Sequence, residues 1–257
     1  MSRPDPGFKV RLARDAADLE AAQHLRYQVF VQELGSDGDM VDHVAQLERD
    51  RFDPFFDHLL LINEARRGDI RDQVVGVYRL LNEEGAAAAG QFYSESEYDL
   101  SALRTSGRRL LELGRSCLHR DARGGMGMYY LWSALSNYVA EREIEVLFGT
   151  ASFHGTDIAS LAEPLSLLHH RHLAPPDLRV RTQPEAFQPM DLIPEDRINR
   201  AAAMRAVPAL IKGYLRLGGC VGEGAFIDHQ FNTTDVCLIL DTLRMTEAQS
   251  RLYGREQ

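Results

Sequence analysis

The stretch LLELGRSCL, residues 110–118, decides the fold. Its apolar residues predict a buried strand, which also carries one acid, Glu112, and one base, Arg115. A charge inside a core costs on the order of several kcal/mol unless it is paired, so we interpret both residues as candidate catalytic groups. They are three apart and face one site only if the strand is irregular, which Gly114 would allow. The alternative is a structural salt bridge reaching around the sheet edge.

The segment RDARGGMG, residues 120–127, follows this strand and precedes a periodic helix predicted over 128–142. A strand, a glycine-rich turn and a helix in succession present backbone N–H groups to a phosphate. The segment lacks the Gly-Lys-Ser/Thr of a Walker loop, and no suitable acid ends the next strand, as a dinucleotide-binding fingerprint would require. A plain strand-to-helix turn is the alternative interpretation.

Further charges lie near two other predicted strands. Asp50, Asp53 and Asp57 precede a strand over 58–63, and we interpret them as a site for a cationic group such as an amine. Turn and helix-cap chemistry is the alternative for these aspartates. Arg79 lies inside an apolar strand and needs an anionic partner, either one of these aspartates or a substrate carboxylate.

Composition narrows the function classes. The chain has 257 residues, 44% of them hydrophobic and 26% charged, which is typical of a soluble globular protein. Its net charge of −9 argues against broad nucleic-acid binding, although six arginines between 104 and 123 offer an acidic partner a local dock. Three cysteines without metal-type spacing indicate reduced thiols in the cytoplasm, and we expect no metal site. We interpret His169, His170 and His172 as the solvent-exposed end of a secondary-structure element.

The order of predicted elements indicates a mixed α/β fold in one domain over residues 1–257. No apolar run approaches the roughly 18 residues that span a bilayer, so membrane contact would be peripheral. We expect one mixed central sheet with helices on both faces. The predicted segments are a helix over 15–30, a mobile loop over 35–50, a hairpin over 58–81, a flexible loop over 83–90, a strand–helix–strand unit over 110–150, a proline-rich insertion over about 164–199, a helix over 201–217 interrupted at Pro208, and closing strands over 224–227 and 235–240.

The chain resembles the bacterial N-acyltransferases that make ornithine lipids, a group of the GNAT superfamily also called hemolysin-like acyltransferases. The resemblance spans nearly the whole chain and implies a GNAT-type fold. The matching stretches are residues 25–30, 50–60, 74–81, 111–118, 147–153, 208–217 and 227–236.

A more distant similarity is to acyl-homoserine-lactone synthases, whose pattern of charged and aromatic residues recurs here. The tryptophan expected soon after the phenylalanine is missing, since Trp132 is the only tryptophan, and this counts against the lactone synthase interpretation. The matching positions are Arg26, Phe30, Asp50, Asp53, Arg79, Glu112 and Arg115.

The GNAT phosphate-loop pattern is met in part. Gly125 and Gly127 fit it, whereas Ala122 occupies the basic position, for which Arg120 or Arg123 substitutes. The resemblance therefore implies that Arg120, Arg123, Gly125 and Gly127 bind the acyl donor.

The resemblance implies a reaction in which a 3-hydroxyacyl chain moves from acyl carrier protein to the α-amine of ornithine. Asp50 and Asp53 would hold the ammonium groups, Arg79 or Arg26 the carboxylate, and Phe30 would line the substrate site. Glu112 would act as general base or as an electrostatic element. The donor is a phosphopantetheine thioester on the carrier, and no permanent cofactor is expected.

Several alternatives remain open. They are another N-acyl amino acid or acyl-homoserine-lactone synthase, an acetyl-CoA donor, and a non-enzymatic protein that binds acyl carrier protein or a membrane. We expect a cytoplasmic location and leave contact with the inner face of the membrane open. The acyl length and the oligomeric state stay undetermined.

Overall fold

The computed structural model describes residues 7–245, which contain twelve strands and eight α-helices. The strands are β1 (Phe8–Leu12), β2 (Val41–Asp42), β3 (Leu47–Glu48), β4 (Asp57–Asn63), β5 (Val74–Asn82), β6 (Tyr98–Asp99), β7 (Leu110–Leu118), β8 (Val146–His154), β9 (Arg181–Thr182), β10 (Cys220–Val221), β11 (Phe226–Asp228) and β12 (Thr233–Asp241). The α-helices are α1 (Ala16–Arg26), α2 (Ile70–Gln73), α3 (Glu83–Ala89), α4 (Ser101–Thr105), α5 (Gly127–Glu141), α6 (Ala162–His172), α7 (Arg200–Ala206) and α8 (Ala209–Arg216).

The chain forms two compact units. Within the described residues, the first comprises 7–89 and 113–142, and the second comprises 90–112 and 143–245. The strand β7 begins in the second unit and ends in the first.

The first unit is built on antiparallel strands in the order β1-β4-β5, followed by the later part of β7. The strands β4 and β5 are buried along almost their whole length. Some of their side chains, including Leu60 and Val77, pack with Ala21 and Leu25 of α1. Asp15 starts α1 because its carboxylate accepts a hydrogen bond from the Asp18 N–H at 2.9 Å.

The second unit contains the order β7-β8-β12-β10, with β11 also paired to β12. Residues 110–112 of β7 run parallel to 146–148 of β8, whereas β8 and β12 are antiparallel along nine positions each. Parallel and antiparallel pairs therefore coexist, and the predicted mixed α/β class is confirmed. The parallel pair also confirms the predicted strand–helix–strand unit.

Two of the predicted loops are wrong. Residues 83–89 form α3, because alanine has the highest helix propensity and Glu83 and Glu84 suit the first turn of a helix. Residues 41–48 contain the β2–β3 pair rather than an irregular loop.

Two helix predictions hold, with adjusted bounds. The first helix continues as a π-helix over Tyr27–Glu33. Pro208 separates α7 from α8, as predicted, because a proline interrupts the backbone hydrogen bonds of a helix.

Between residues 7 and 245 no helix combines the length and the apolar character needed to cross a bilayer. The same residues contain no cluster of three or more His, Cys, Asp or Glu side chains that could hold a metal ion.

Candidate functional site

The first unit contains a buried cluster of six charged side chains, which we call the ion cluster. The polar segment around β3 and the start of β4 brings carboxylates to arginines on α1, β5 and β7. Its members are Arg26, Glu48, Asp50, Asp53, Arg79 and Arg115. The three carboxylates balance the three guanidinium groups, so the cluster is electrically neutral.

Asp53 lies at the centre of the ion cluster and is 2% exposed. One carboxylate oxygen, Oδ1, accepts hydrogen bonds from Arg26 Nη1 at 2.6 Å and Arg79 Nη1 at 2.8 Å. The other, Oδ2, accepts from Gln23 Nε2 at 2.9 Å. Both arginine side chains are fully buried, so each charge in this group depends on the others for its stability.

Glu48 joins two arginines of the ion cluster. Its carboxylate accepts hydrogen bonds from Arg26 Nε and, at 3.1 Å, from Arg115 Nε. Glu48 was not among the predicted site residues, because it falls in a stretch that was predicted to be a mobile polar loop. Its position directly after the buried Leu47 is a weak signal that could have marked it as inward-facing.

Asp50 makes the turn contacts of one interpretation and pairs with an arginine of the protein itself, while its role toward an amine stays a prediction. One oxygen, Oδ2, accepts from Arg79 Nη1 at 2.7 Å, while Oδ1 accepts from the N–H groups of Phe52 and Asp53 at 2.8 and 3.1 Å. It therefore shapes the turn that places Asp53 and also forms an ion pair. The Arg79 guanidinium in addition lies 4.2 Å from the ring centre of Phe56.

The ion cluster holds permanent charges. Burial alone would raise the pKa of Glu48, but Arg26 and Arg115 outweigh this and lower the pKa to about 2. Burial is likewise outweighed by Arg26 and Arg79 at Asp53, whose pKa lies well below its ordinary value. Neither carboxylate is suited to take up a proton near neutral pH.

His58 adds a neutral ring beside these charges. Its Nε2 lies 2.9 Å from the Asp53 carbonyl oxygen. Burial lowers the pKa of His58 to about 4, so the ring is uncharged at neutral pH. This environment supports fixed geometry around Asp53 rather than proton transfer.

The structure therefore brings together four of the five residues predicted to bind substrate, namely Arg26, Asp50, Asp53 and Arg79, and pairs them with one another. The fifth, Phe30, lies on the π-helix, where it is half-buried and packs against the apolar core of the first unit.

The centre of β7 departs from a regular strand. Arg115 has a φ of +50°, so the irregularity predicted at Gly114 lies one residue later. A non-glycine residue in this region costs about 1–2 kcal/mol, which its bond to Glu48 helps to offset. Residues 114–116 are half-buried while the rest of the strand is buried, so the middle of the strand is partly open to solvent.

Glu112 has partners in the second unit and is 1% exposed. Its carboxylate accepts hydrogen bonds from the N–H groups of Tyr93 and Ser94, both at 2.7 Å, and from the Ser94 hydroxyl. These bonds anchor the start of the short helix Tyr93–Ser96.

The glycine-rich loop leads directly into α5, whose first residue is Gly127. A Cβ at Gly127 would lie 2.8 Å from the Ala122 carbonyl oxygen, so only glycine allows this approach of the two backbones. Arg123 donates to the Leu118 carbonyl at 2.9 Å, pairs with Glu33 at 2.8 Å and remains exposed, as do Arg120 and Gly125. The first turn of this 15-residue helix therefore presents N–H groups next to basic side chains.

The basic stretch over 104–123 carries less unbalanced charge than its sequence indicates. Five of its six arginines pair with carboxylates, and in residues 7–245 only Arg120 has none. The pairs are Arg104–Glu95, Arg108–Asp241, Arg109–Glu143, Arg115–Glu48 and Arg123–Glu33.

Comparison with known proteins gives consistent results. The family model described as an acetyltransferase (GNAT) domain matches residues 25–133. A Rhodobacter capsulatus protein named L-ornithine N(alpha)-acyltransferase is 56% identical over 248 residues, covering 96% of this chain and 95% of the relative. A Brucella abortus protein of the same name is 44% identical over 251 residues, covering 97% and 89%.

Among solved structures, the AHL synthase LasI superposes with a TM-score of 0.51 at 16% identity, covering 98% of this chain and 100% of that one. This likeness concerns the fold alone. Together with the match to the family model, it confirms the GNAT-type architecture that the resemblance implied.

Proposed function

This chain belongs to the family of L-ornithine N(alpha)-acyltransferases, and from that premise we propose that it acylates the α-amine of L-ornithine. The observation that carries the proposal is the 56% identity to the Rhodobacter capsulatus relative over nearly the full length of both chains. At such identity and coverage, the fold and the site residues are expected to serve the same type of reaction.

We propose acyl carrier protein as the donor, charged with a 3-hydroxyacyl chain on its phosphopantetheine, and lyso-ornithine lipid as the product. The loop over 120–127 supports this, because the first N–H groups of α5 have no acceptor within the helix and the exposed Arg120 has no carboxylate partner in residues 7–245. The ornithine nitrogen attacks the thioester carbonyl, the C–N bond forms and the C–S bond breaks. The amine loses a proton, and the leaving thiolate takes one up.

Most of the rate acceleration would come from positioning and from oxyanion stabilisation. Holding amine and thioester in line supplies up to roughly 7–11 kcal/mol, and a backbone N–H donor to the oxyanion adds roughly 3 kcal/mol. The half-buried backbone of residues 114–116 is our candidate for such donors.

We propose that Glu112 acts mainly as a fixed negative charge. Three donors occupy its two oxygens, which favours an electrostatic and positioning role over direct removal of the amine proton. General-base action, directly or through water, is the alternative. A Glu112→Gln enzyme that keeps the wild-type pH profile at reduced turnover would support the electrostatic role. Loss of the acidic limb, where a general base becomes protonated and inactive, would support the base.

We propose that the ion cluster contacts ornithine through its less buried members. The side chains of Arg115 and Asp50 are 15% and 5% exposed, whereas Arg26 is fully buried. Arg115 would donate hydrogen bonds to the ornithine carboxylate, and Asp50 would bind an ammonium group. Arg26, Asp53 and Arg79 would hold them in place.

The test is a mass-spectrometric assay of purified protein with 3-hydroxyhexadecanoyl-acyl carrier protein and an equimolar set of amino acids. We expect N-acylornithine as the main product. A different acylated amino acid would show that the protein is an N-acyl amino acid synthase with another acceptor. Turnover only with acetyl-CoA would overturn the proposed donor.

A pair of variants tests the acceptor site. Asp50→Asn should raise the KM for ornithine at least tenfold, since a desolvated charge pair contributes about 1.5–3 kcal/mol. The matched control is Asp42→Asn, which removes the charge of a half-buried aspartate that pairs with the exposed Arg49. Equal effects of both variants would contradict a role of Asp50 in binding.

A further inference from the structure

A strongly basic segment lies in the second unit and is not used by the proposed chemistry. Residues 197–222 contain five basic side chains and no Asp or Glu, in a chain with a net charge of −9. We call these five the basic face, and they lie on or next to α7 and α8. They are Arg197, Arg200, Arg205, Lys212 and Arg216.

Most of the basic face is exposed. Four of its five members are exposed, and Lys212 is half-buried. Within residues 7–245, neither Arg197 nor Arg205 has a carboxylate partner, and Arg200 reaches Glu195 only at 3.8 Å. This contrasts with the arginines of 104–123, which are mostly paired.

Like charges are close together on this face. Lys212 Nζ donates to the Arg205 carbonyl oxygen at 3.3 Å, which brings the two basic residues next to each other. Lys212 and Arg216 are four residues apart on α8 and so share one side of the helix. Such pairs destabilise an isolated helix, so the stability of the fold gives no reason for their placement.

The apolar side of this helix pair is already occupied by the protein itself. Ala203, Val207, Ile211, Tyr214 and Leu217 are all buried. In residues 200–216 none of the large apolar side chains is exposed. A helix that binds in a bilayer interface turns Trp, Phe or Leu toward the lipid, so this surface fits an acidic protein better than a membrane.

We propose that the basic face is the docking surface for the acidic acyl carrier protein. The proposal rests on the proposed function for the identity of the partner. The basic face, rather than the stretch 104–123, is then the main docking surface. Most arginines of that stretch are already paired with carboxylates of this protein.

The test compares two triple variants with the same change in net charge. The first, Arg200→Gln/Arg205→Gln/Lys212→Gln, alters the basic face. The matched control, Arg104→Gln/Arg109→Gln/Arg244→Gln, alters exposed arginines of the same unit that pair with carboxylates. Thermal unfolding of both proteins checks that they are folded.

Binding of fluorescently labelled holo-acyl carrier protein is measured by anisotropy at low salt. We expect the first triple variant to weaken the Kd about tenfold, since three rim charges each contribute a few-fold, and the control to leave it nearly unchanged. In turnover assays, the first triple variant should have a higher KM for the acyl carrier protein substrate than the wild type. Its KM for 3-hydroxyhexadecanoyl-pantetheine should be the same as that of the wild type.

Three results would overturn the proposal. They are an unchanged Kd in the first variant, an equal loss in the control, and loss of binding to phosphatidylglycerol vesicles while carrier binding persists. Because anisotropy needs no turnover, a wild-type protein that binds the carrier but does not acylate ornithine would refute the proposed function and leave the docking surface intact.

Discussion

Replacing Glu48 by glutamine should destabilise the protein strongly. The substitution keeps the shape of the side chain but removes the charge that Arg26 and Arg115 share. Glu48 and Arg26 are both fully buried, and removing one partner of a buried ion pair costs about 3–5 kcal/mol.

A second estimate comes from the protonation of Glu48. Its pKa falls from an ordinary value of 4.5 to about 2 on folding, which corresponds to about 3 kcal/mol of folding free energy. Because the folded state holds the lower pKa, this contribution is fully present above pH 4.5. It is lost as the pH falls from 4.5 to about 2.

The assay is thermal and urea unfolding of Glu48→Gln beside the wild type. We expect a loss of about 3 kcal/mol and a fall in apparent Tm of roughly 6–12 °C at pH 7. The difference should shrink as the pH is lowered toward 2, since the wild-type carboxylate is then protonated.

The control is Asp42→Asn, which breaks the pair with the exposed Arg49 and should change stability by less than about 1 kcal/mol. A loss below about 1 kcal/mol in Glu48→Gln, or a difference independent of pH, would refute the view that Glu48 stabilises the buried arginines.

The remaining predictions concern the backbone near the candidate site. Gly127→Ala should lower stability by about 1–3 kcal/mol and raise the KM for the donor, because its Cβ would meet the Ala122 carbonyl at 2.8 Å. Gly125→Ala, where a Cβ meets nothing within 4 Å, is the control and should be nearly neutral in urea unfolding. Arg115→Gly should be more stable than Arg115→Ala by about 1 kcal/mol, because the φ of +50° suits glycine. Equal unfolding midpoints for those two variants would contradict the left-handed conformation.

The strands with long apolar runs and the helix break at a proline could be predicted from the sequence. Three strands, β4, β5 and β7, lie where continuous apolar residues predicted them, and Pro208 ends one helix and begins the next. These features depend on local periodicity and on the geometry of single residues, both of which act over a few positions.

Some of the local structure was predicted wrongly from the sequence. The alanine-rich stretch over 83–89 was predicted to be a flexible loop but forms α3. It has no apolar periodicity, and its helical structure follows from the high helix propensity of alanine. Gly114 was predicted to carry the strand irregularity, yet Arg115 carries it. The bond from Arg115 to Glu48 is a tertiary contact that favours this conformation.

The sequence alone determined the class of the fold and the course of its main strands, and it singled out five of the six charged residues of the ion cluster. Only the tertiary structure decided the partners of those charges. Glu48 lies 22 residues from Arg26 and 67 from Arg115, so no local pattern links them. The physical reason is that ion pairing depends on distance and burial in the folded chain, whereas sequence periodicity reports only which way each side chain faces.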